Sequence, residues 1–299
     1  MKFQQFAFST NAYSRFSLDK ALRRIAQIGF KGVEILADKP HAWLDGFTPR
    51  NVARLERQLQ RLDLFVSNIN ANCASGFWSD APSEPFFEPS LIARDKTLRE
   101  WRIAYTKKAL RLGKTLGACN VSITSGKALN GVPPEKAQKL LEEGLARLLE
   151  EAHRVQQRLS LEYEPALFIE KTEEMKTLLE KMNSPYLGVN LDLGHVAVTG
   201  EDPCHAIRAL KGRIFNLHLE DIRAGKHYHR IPGEGDLDFR AIFKQLDVIG
   251  YTGPLTWELY TYDETPDMAC ARTLNFVKTV AQASSPATQP SKSLRYAKI

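Results

Sequence analysis

The chain predicts a single (β/α)8 barrel, on three observations. Short apolar segments with the two-residue period of a strand alternate eight times with amphipathic helical segments, the pattern of a parallel sheet. The length, 299 residues, suits one such barrel, which needs about 250. Four of the strands end in an ionisable residue at the same end, and that is the edge where α/β barrels bind ligands. No break in composition marks a second domain. Residues 1–282 are assigned to the barrel and residues 283–299 to a basic tail expected to be disordered, because Ser, Pro, Thr and Lys dominate it.

The elements follow in order. Gln5–Ser9 reads as the first strand. Ser17 caps a helix whose stripe is Leu18, Ala21, Leu22, Ile25 and Ile28, and Gly29 stops it. Gly32–Leu36 is the second strand, and Thr48 opens a helix to about Leu62. Leu64–Asn68 is the third strand. A longer loop, Asn70 to about Pro89, carries Phe77, Trp78, Phe86 and Phe87, which either close over the site as a lid or pack the loop onto the barrel.

A helix is predicted from about Ser90 to Leu116, then a strand Asn120–Thr124 and a helix from Pro133-Pro134 to about Arg158. Strands ending at Glu162, Asp192 and His218 alternate with helices over Thr172–Met182 and Pro203–Leu210. The segment Leu219–Leu237 reads as a second long loop. Asp238 caps a helix to Ile249, the strand to Glu258 follows, and the last helix runs from about Pro266 to Val280.

Composition excludes several classes. The hydrophobic share is 43% and the charged share 25%, ordinary for a globular protein. No apolar run reaches the roughly 20 residues of a membrane span, and Met1-Lys-Phe-Gln-Gln-Phe6 lacks a signal-peptide core, so a cytoplasmic protein without a membrane partner is expected. Cys73, Cys119, Cys204 and Cys270 are widely spaced and read as reduced, buried thiols. The net charge is +6, but Lys292, Arg295 and Lys298 of the tail supply half of it. The remaining body mixes both signs, so no nucleic-acid partner is expected.

The chemistry concentrates on the strand ends. Glu162, Asp192, His218 and Glu258 follow one another at gaps of 30, 26 and 40 residues, each about one βα unit. Any of the four alone fits a salt bridge or a satisfied core histidine. Four in register at one edge predict a metal set of three carboxylates and one imidazole. Such an oxygen-rich set suits Mn²⁺, Mg²⁺ or Co²⁺, with Zn²⁺ also compatible. A chelated hydroxyketone would have its carbonyl polarised, easing removal of the neighbouring proton and giving a metal-bound enediolate. Glu162 and Glu258 lie on different strands and would take and return that proton.

Five segments carry a family resemblance: Leu159-Ser-Leu-Glu-Tyr-Glu-Pro165, Asn190-Leu-Asp-Leu-Gly-His195, Leu217-His-Leu-Glu-Asp221, Pro232-Gly-Glu-Gly-Asp-Leu-Asp-Phe239 and Gly253-Pro-Leu-Thr-Trp-Glu-Leu259. Together they resemble the xylose isomerase-like (sugar phosphate isomerase/epimerase) barrel family over roughly residues 5 to 280. The resemblance to its ketose 3-epimerases implies Glu162, Asp192, His218 and Glu258 as metal ligands. It implies Glu162 and Glu258 as the catalytic pair and His195 as a substrate contact.

Two positions depart from the epimerase pattern. Where those enzymes carry a substrate arginine this chain has Ala224, with Arg223 one position short. His227-Tyr-His229 resembles the Asp-x-His pair of the family's endonuclease IV branch, but the histidines which that branch needs after strands three and four are replaced by Asn70, Asn72 and Ser125. On an extended segment both rings of His227 and His229 point to one face. Substrate contacts, ligands of a second metal and exposed loop residues all remain open for them. Glu164 is a candidate partner of a ligand, and Glu34 and His41 are candidates for the same mouth.

The expected function is a divalent-metal-dependent isomerase or epimerase of a sugar or sugar-like ketone. The alternative is a lyase or dehydratase acting on a keto-sugar, keto-glycoside or keto-cyclitol through the same proton abstraction. An endonuclease IV-like zinc phosphodiesterase stands third. The metal expected first is Mn²⁺. The partner is a small carbohydrate, expected to lack a phosphate since no Gly-rich phosphate loop is evident, and the family resemblance adds a homo-oligomer as an expectation.

Overall fold

The computed structural model describes residues 5–72, 75–78, 87–128 and 131–283. Eight parallel strands close into a barrel: β1 (Phe6–Ser9), β2 (Gly32–Leu36), β3 (Phe65–Asn70), β4 (Val121–Thr124), β5 (Leu159–Glu162), β6 (Leu187–Asp192), β7 (Ile214–Leu219) and β10 (Leu255–Trp257). Each strand pairs with its sequence neighbour, and β10 closes the ring against β1 through Phe6–Leu255 and Phe8–Trp257. A two-stranded antiparallel hairpin, β8 (Asp221–Arg223) and β9 (Lys226–Arg230), stands between β7 and the next helix.

The helices take the predicted places with local differences. α1 (Leu18–Ile28) starts on the Ser17 hydroxyl, which accepts from Lys20 N, and buries Ala21, Leu22 and Ile25. α2 (Pro49–Leu62) starts on a reciprocal Thr48–Asn51 capping box. α3 (Lys96–Leu116) begins six residues later than the sequence suggests, because Asp95 supplies the cap by accepting from Thr97 N. α4 (Pro134–Val155) ends at Gln156, which adopts the left-handed conformation. α5 (Thr172–Met182) precedes β6. Between β6 and β7 stand two helices, α6 (Leu193–Val198) and α7 (Pro203–Ala209), where one was expected, and α8 (Phe239–Ile249) and α9 (Pro266–Ala283) flank β10.

Polar residues fill the barrel interior and apolar ones face the helices. In β6 the apolar Val189 and Leu191 join the buried core, whereas Asn190 hydrogen-bonds Glu162 and, through its Oδ1, Asn216 Nδ2 at 2.7 Å. Thr256 of β10 donates to Ser67 of β3 at 2.9 Å, a bond that crosses the interior because two strands separate those elements around the ring. The alternation of the sequence therefore has an unusual sense, with its polar half turned inward, and those side chains satisfy one another.

Within the described part of the long loop after β3, Phe77 is packed onto the barrel's helices. Phe77 packs edge-on against Trp101 of α3 at 4.6 Å, and Trp101 stacks with Trp43 and Tyr105. For Phe77 the packing reading holds; Phe86, Cys73 and the tail from Ser284 lie outside the described residues. The cysteines correct one expectation: Cys270 is buried and Cys204 half-buried, but Cys119 is exposed at the turn before β4, and all three are free. No helix among the described residues is long and apolar enough to cross a membrane.

Candidate active site

Glu162, Asp192, His218 and Glu258 meet at the C-terminal mouth of the barrel. All four are buried, and one donor atom from each lies within 4.8 Å of all the others. His218 Nδ1 is 3.0 Å from Glu162 Oε1, 3.4 Å from Glu258 Oε2 and 3.8 Å from Asp192 Oδ2.

Each carboxylate has one oxygen anchored and one turned to the centre. Glu162 Oε2 accepts from the amides of Asn72 (3.0 Å) and Asn190 (2.9 Å), leaving Oε1 to face His218. Glu258 Oε1 accepts from Asn11 (2.8 Å) and Asn70 (3.2 Å), leaving Oε2 to face His218. Asp192 caps α6, its Oδ1 accepting from His195 N at 2.7 Å, while Oδ2 is buried with no hydrogen-bond partner. The other side of the His218 ring is fixed by Glu34, whose Oε2 lies 2.6 Å from Nε2.

The electrostatics mark an anionic pocket short of positive charge. Burial raises the Glu258 carboxyl well above the ordinary range, and the charges of Glu162, Glu34 and Asp192 add to it against the opposing pull of His218. Burial likewise carries Asp192 up to about 6. Burial alone would lower His218, but Glu258, Glu34 and Glu162 outweigh it and raise the imidazole well above its usual value. Burial also pushes Glu34 up, yet the His218 charge and the hydrogen bonds from His218, Ser9 and Asn68 hold it below the carboxylate norm. Three inward oxygens and one imidazole nitrogen, one oxygen unpartnered, are a donor set that fits a divalent cation.

The other predicted site residues divide into those brought to the cluster and those not. His195 stands on α6 rather than on a loop, because the capped helix begins directly after Asp192. Its Nδ1 is 3.9 Å from Glu162 Oε1. Glu164 is buried beside it, and an oxygen of Glu164, one of Glu162 and a His195 nitrogen lie within 4.8 Å of one another. Burial, with Glu162, Glu258 and Asp192, raises the Glu164 carboxyl well above its norm.

His227 and His229 lie on β9, both rings near His195 at 4.7 Å and 5.7 Å between centroids. Burial lowers all three imidazoles, His229 to about 3, so they are neutral at pH 7. The loop reading of this segment is thereby corrected: the hairpin sets the two rings on one face. Arg223 is exposed on β8 and lines a separate cavity of about 570 Å³ with Arg230 and Gly233–Asp236. Ala224 occupies the hairpin turn at φ 52°, its N–H held by Asp236 Oδ2 at 2.7 Å. His41 does not join the cluster, because its Nε2 lies 3.2 Å and 3.1 Å from the Tyr13 and Phe16 carbonyl oxygens.

Three nearby residues escape a reading of the sequence. Asn11 comes from the turn after β1 and has no local motif. Tyr260 sets its ring 4.5 Å from that of His229, tilted by 54°. Glu220 is fully buried beside Asp192, and the two-residue strand period after His218 is a signal for it.

Against this geometry, known proteins give a consistent picture. The chain is 23% identical over 256 residues to a fructoselysine 3-epimerase of Escherichia coli O157:H7, covering 84% of this chain and 89% of that protein. It is 25% identical over 260 residues to an inosose dehydratase of Clostridium perfringens, covering 81% and 82%. The fold superposes with a TM-score of 0.77 on a D-tagatose 3-epimerase-like protein at 18% identity, covering 93% of this chain and 98% of that one. A profile of xylose isomerase-like TIM barrels matches residues 22–280, and the chain belongs to that family.

Proposed function

We propose that this protein is a divalent-metal-dependent isomerase or epimerase of a sugar or sugar-like ketone, with Glu162 and Glu258 as the acid–base pair. The observation that carries the reading is the shared design of those two carboxylates. Each has one oxygen tied to two side-chain amides and the other turned to a common centre. Their strands, β5 and β10, are separated by β6 and β7 around the ring, so they approach a bound ketone from different sides. One removes the proton α to the carbonyl and the other returns a proton to the opposite face.

Glu162, Asp192, His218 and Glu258 would hold the cation, with Mn²⁺ first among Mn²⁺, Mg²⁺, Co²⁺ and Zn²⁺. When bound there it polarises the ketone carbonyl and lowers the cost of proton removal. Burial holds the Glu258 carboxyl above its usual range, which makes its carboxylate the stronger base for proton abstraction. His195, Glu164, His227 and His229 line the mouth as candidate substrate contacts; the exposed Arg223 is a weaker one. The substrate is read as a carbohydrate without phosphate, since no Gly-rich phosphate loop is evident in the sequence. A cytoplasmic location and a homo-oligomer complete the reading.

The second reading is a lyase acting on a keto-sugar or keto-cyclitol, favoured by the similarity to inosose dehydratase. It shares the first step and differs in the loss of a β-leaving group. The phosphodiesterase reading is weakened because Asn70 and Asn72 are engaged with Glu258 and Glu162. The test is to incubate the Mn²⁺-loaded protein in D₂O with ketohexoses, ketosamines and keto-cyclitols and follow the products by NMR. Deuterium at the α carbon with an inverted or isomerised product supports the first reading, and an unsaturated ketone supports the second. No exchange with any of these ketones overturns both.

A further inference from the structure

The opposite end of the barrel carries a cavity that the proposed reaction does not use. At this N-terminal mouth about 520 Å³ of space is lined by residues at or just before strand starts, among them Phe65, Phe215 and Tyr251. Strands of up to six residues, at about 3.3 Å each, set it roughly 15 Å from the four-residue cluster. A space of this size is large enough to hold a small ligand.

The aromatic walls of the cavity are seated against glycines. A Cβ on Gly188 would overlap the Phe215 ring, and one on Gly32 would overlap the Phe65 ring. Only a missing side chain at those two positions lets the rings pack where they do. The third ring, Tyr251, is fixed by its hydroxyl, which donates to the Pro254 carbonyl oxygen at 2.8 Å.

The charge around these rings has one sign. Arg158 stands over the Phe215 ring, 4.8 Å from its centroid, and Lys211 lines the same cavity. Among the described residues lining it none is acidic, so no carboxylate there neutralises the two cations. Elsewhere on the surface Arg111, Arg147 and Arg154 each meet a glutamate. A guanidinium stacked on a ring keeps its in-plane N–H donors available to an anion. Cys119 is exposed at this cavity; burial pushes its thiol up, and the nearby Arg158 charge opposes that push.

We infer that the N-terminal mouth is a second ligand site, for a small molecule that joins a flat ring to an anionic group. That chemistry is shared by a mononucleotide and an aromatic carboxylate. The ring would stack among Phe65, Phe215 and Tyr251, and Arg158 and Lys211 would bind the phosphate or carboxylate. Arg158, Ile214 and Pro254 stand four residues before Glu162, His218 and Glu258 respectively. The occupant would therefore rest on the three strands that carry those residues.

Cys119 can report occupancy directly. The full-length protein is kept in chelator, so that no cation draws phosphate to the other mouth, and is treated with iodoacetamide. Peptide mass spectrometry follows the labelling of Cys119 with AMP or salicylate as probe and adenosine as the uncharged control. At ten times the Kd found by calorimetry, a bound probe should slow labelling about 10-fold. Protection by either probe upholds the site, and the stronger of the two names the source of its ligand. Arg158→Ala combined with Lys211→Ala, both at exposed positions, should abolish protection and leave Tm unchanged. No protection by either probe at millimolar concentration overturns the inference; the rings then only close the barrel end. Equal protection by adenosine, or protection that survives in the double variant, overturns it as well. None of these outcomes bears on Glu162 and Glu258, so this inference and the proposed reaction fail separately.

Discussion

His218 of β7 and Glu34 of β2 meet across the barrel, with Nε2 2.6 Å from Oε2, although two strands separate their elements around the ring. Glu34 itself accepts from Ser9 (2.6 Å) and from Asn68 (2.8 Å), so it is held before it holds the imidazole. That contact turns Nδ1 of His218 toward Glu162, Asp192 and Glu258.

Removing the charge of Glu34 should therefore loosen the cation rather than the fold. We expect Glu34→Gln to weaken divalent-metal affinity by about 10- to 100-fold, the usual effect of losing the carboxylate behind a ligating histidine. Competition against a fluorescent chelator measures this. An affinity equal to wild type would remove Glu34 from any orienting role.

Glu162 and Glu258 should act as a pair. Glu162→Gln and Glu258→Gln are each expected to slow α-proton exchange by about 10²–10⁴-fold, the range for losing one general acid or base. The double variant should lose little more than the worse single one. Simple additivity of the two losses would argue against a shared proton path.

Metal stabilisation should depend on pH. Burial, with the neighbouring charges, raises Glu258, Glu164 and Glu220 well above the carboxylate norm and Asp192 to about 6. A carboxyl raised in the folded state stabilises the fold while it keeps its proton and loses that contribution as pH rises through the folded value. A cation replaces those protons, so it should stabilise more at about pH 8 than at about pH 5. At a hundredfold excess over Kd the gain is about 2.7 kcal/mol, or several degrees in Tm. Equal Tm shifts at the two pH values would count against this electrostatic account.

Asp221 should be a stability residue for the mouth. Its buried carboxylate accepts from the N–H groups of Ile222, Gly233, Gly235 and Leu237 at 2.8–3.1 Å, tying down the segment after the histidine hairpin. Asp221→Ala should cost about 2–4 kcal/mol, since hydrogen bonds to a charged group contribute about 1.5–3 kcal/mol each and do not add fully. Thermal melts and limited proteolysis over residues 222–237 check it. Unchanged cleavage there would show that the hairpin holds without Asp221.

The sequence by itself determined the succession of elements and the register of the chemistry. Strand and helix periods, Ser17 and Thr48 as caps, and an ionisable residue at four strand ends are local signals, and each stands in the fold where the pattern put it. Helix starts without such a signal were harder to place, as at Ser90, where the cap is Asp95. Only the tertiary structure decided that the polar half of each strand faces inward. Only closure of the ring joined Glu34 to His218 and Asn11 to Glu258. The reason is physical: a period of two says which residues share a face, but not which faces converge. Closing eight strands brings residues 184 and 247 positions apart within hydrogen-bonding distance.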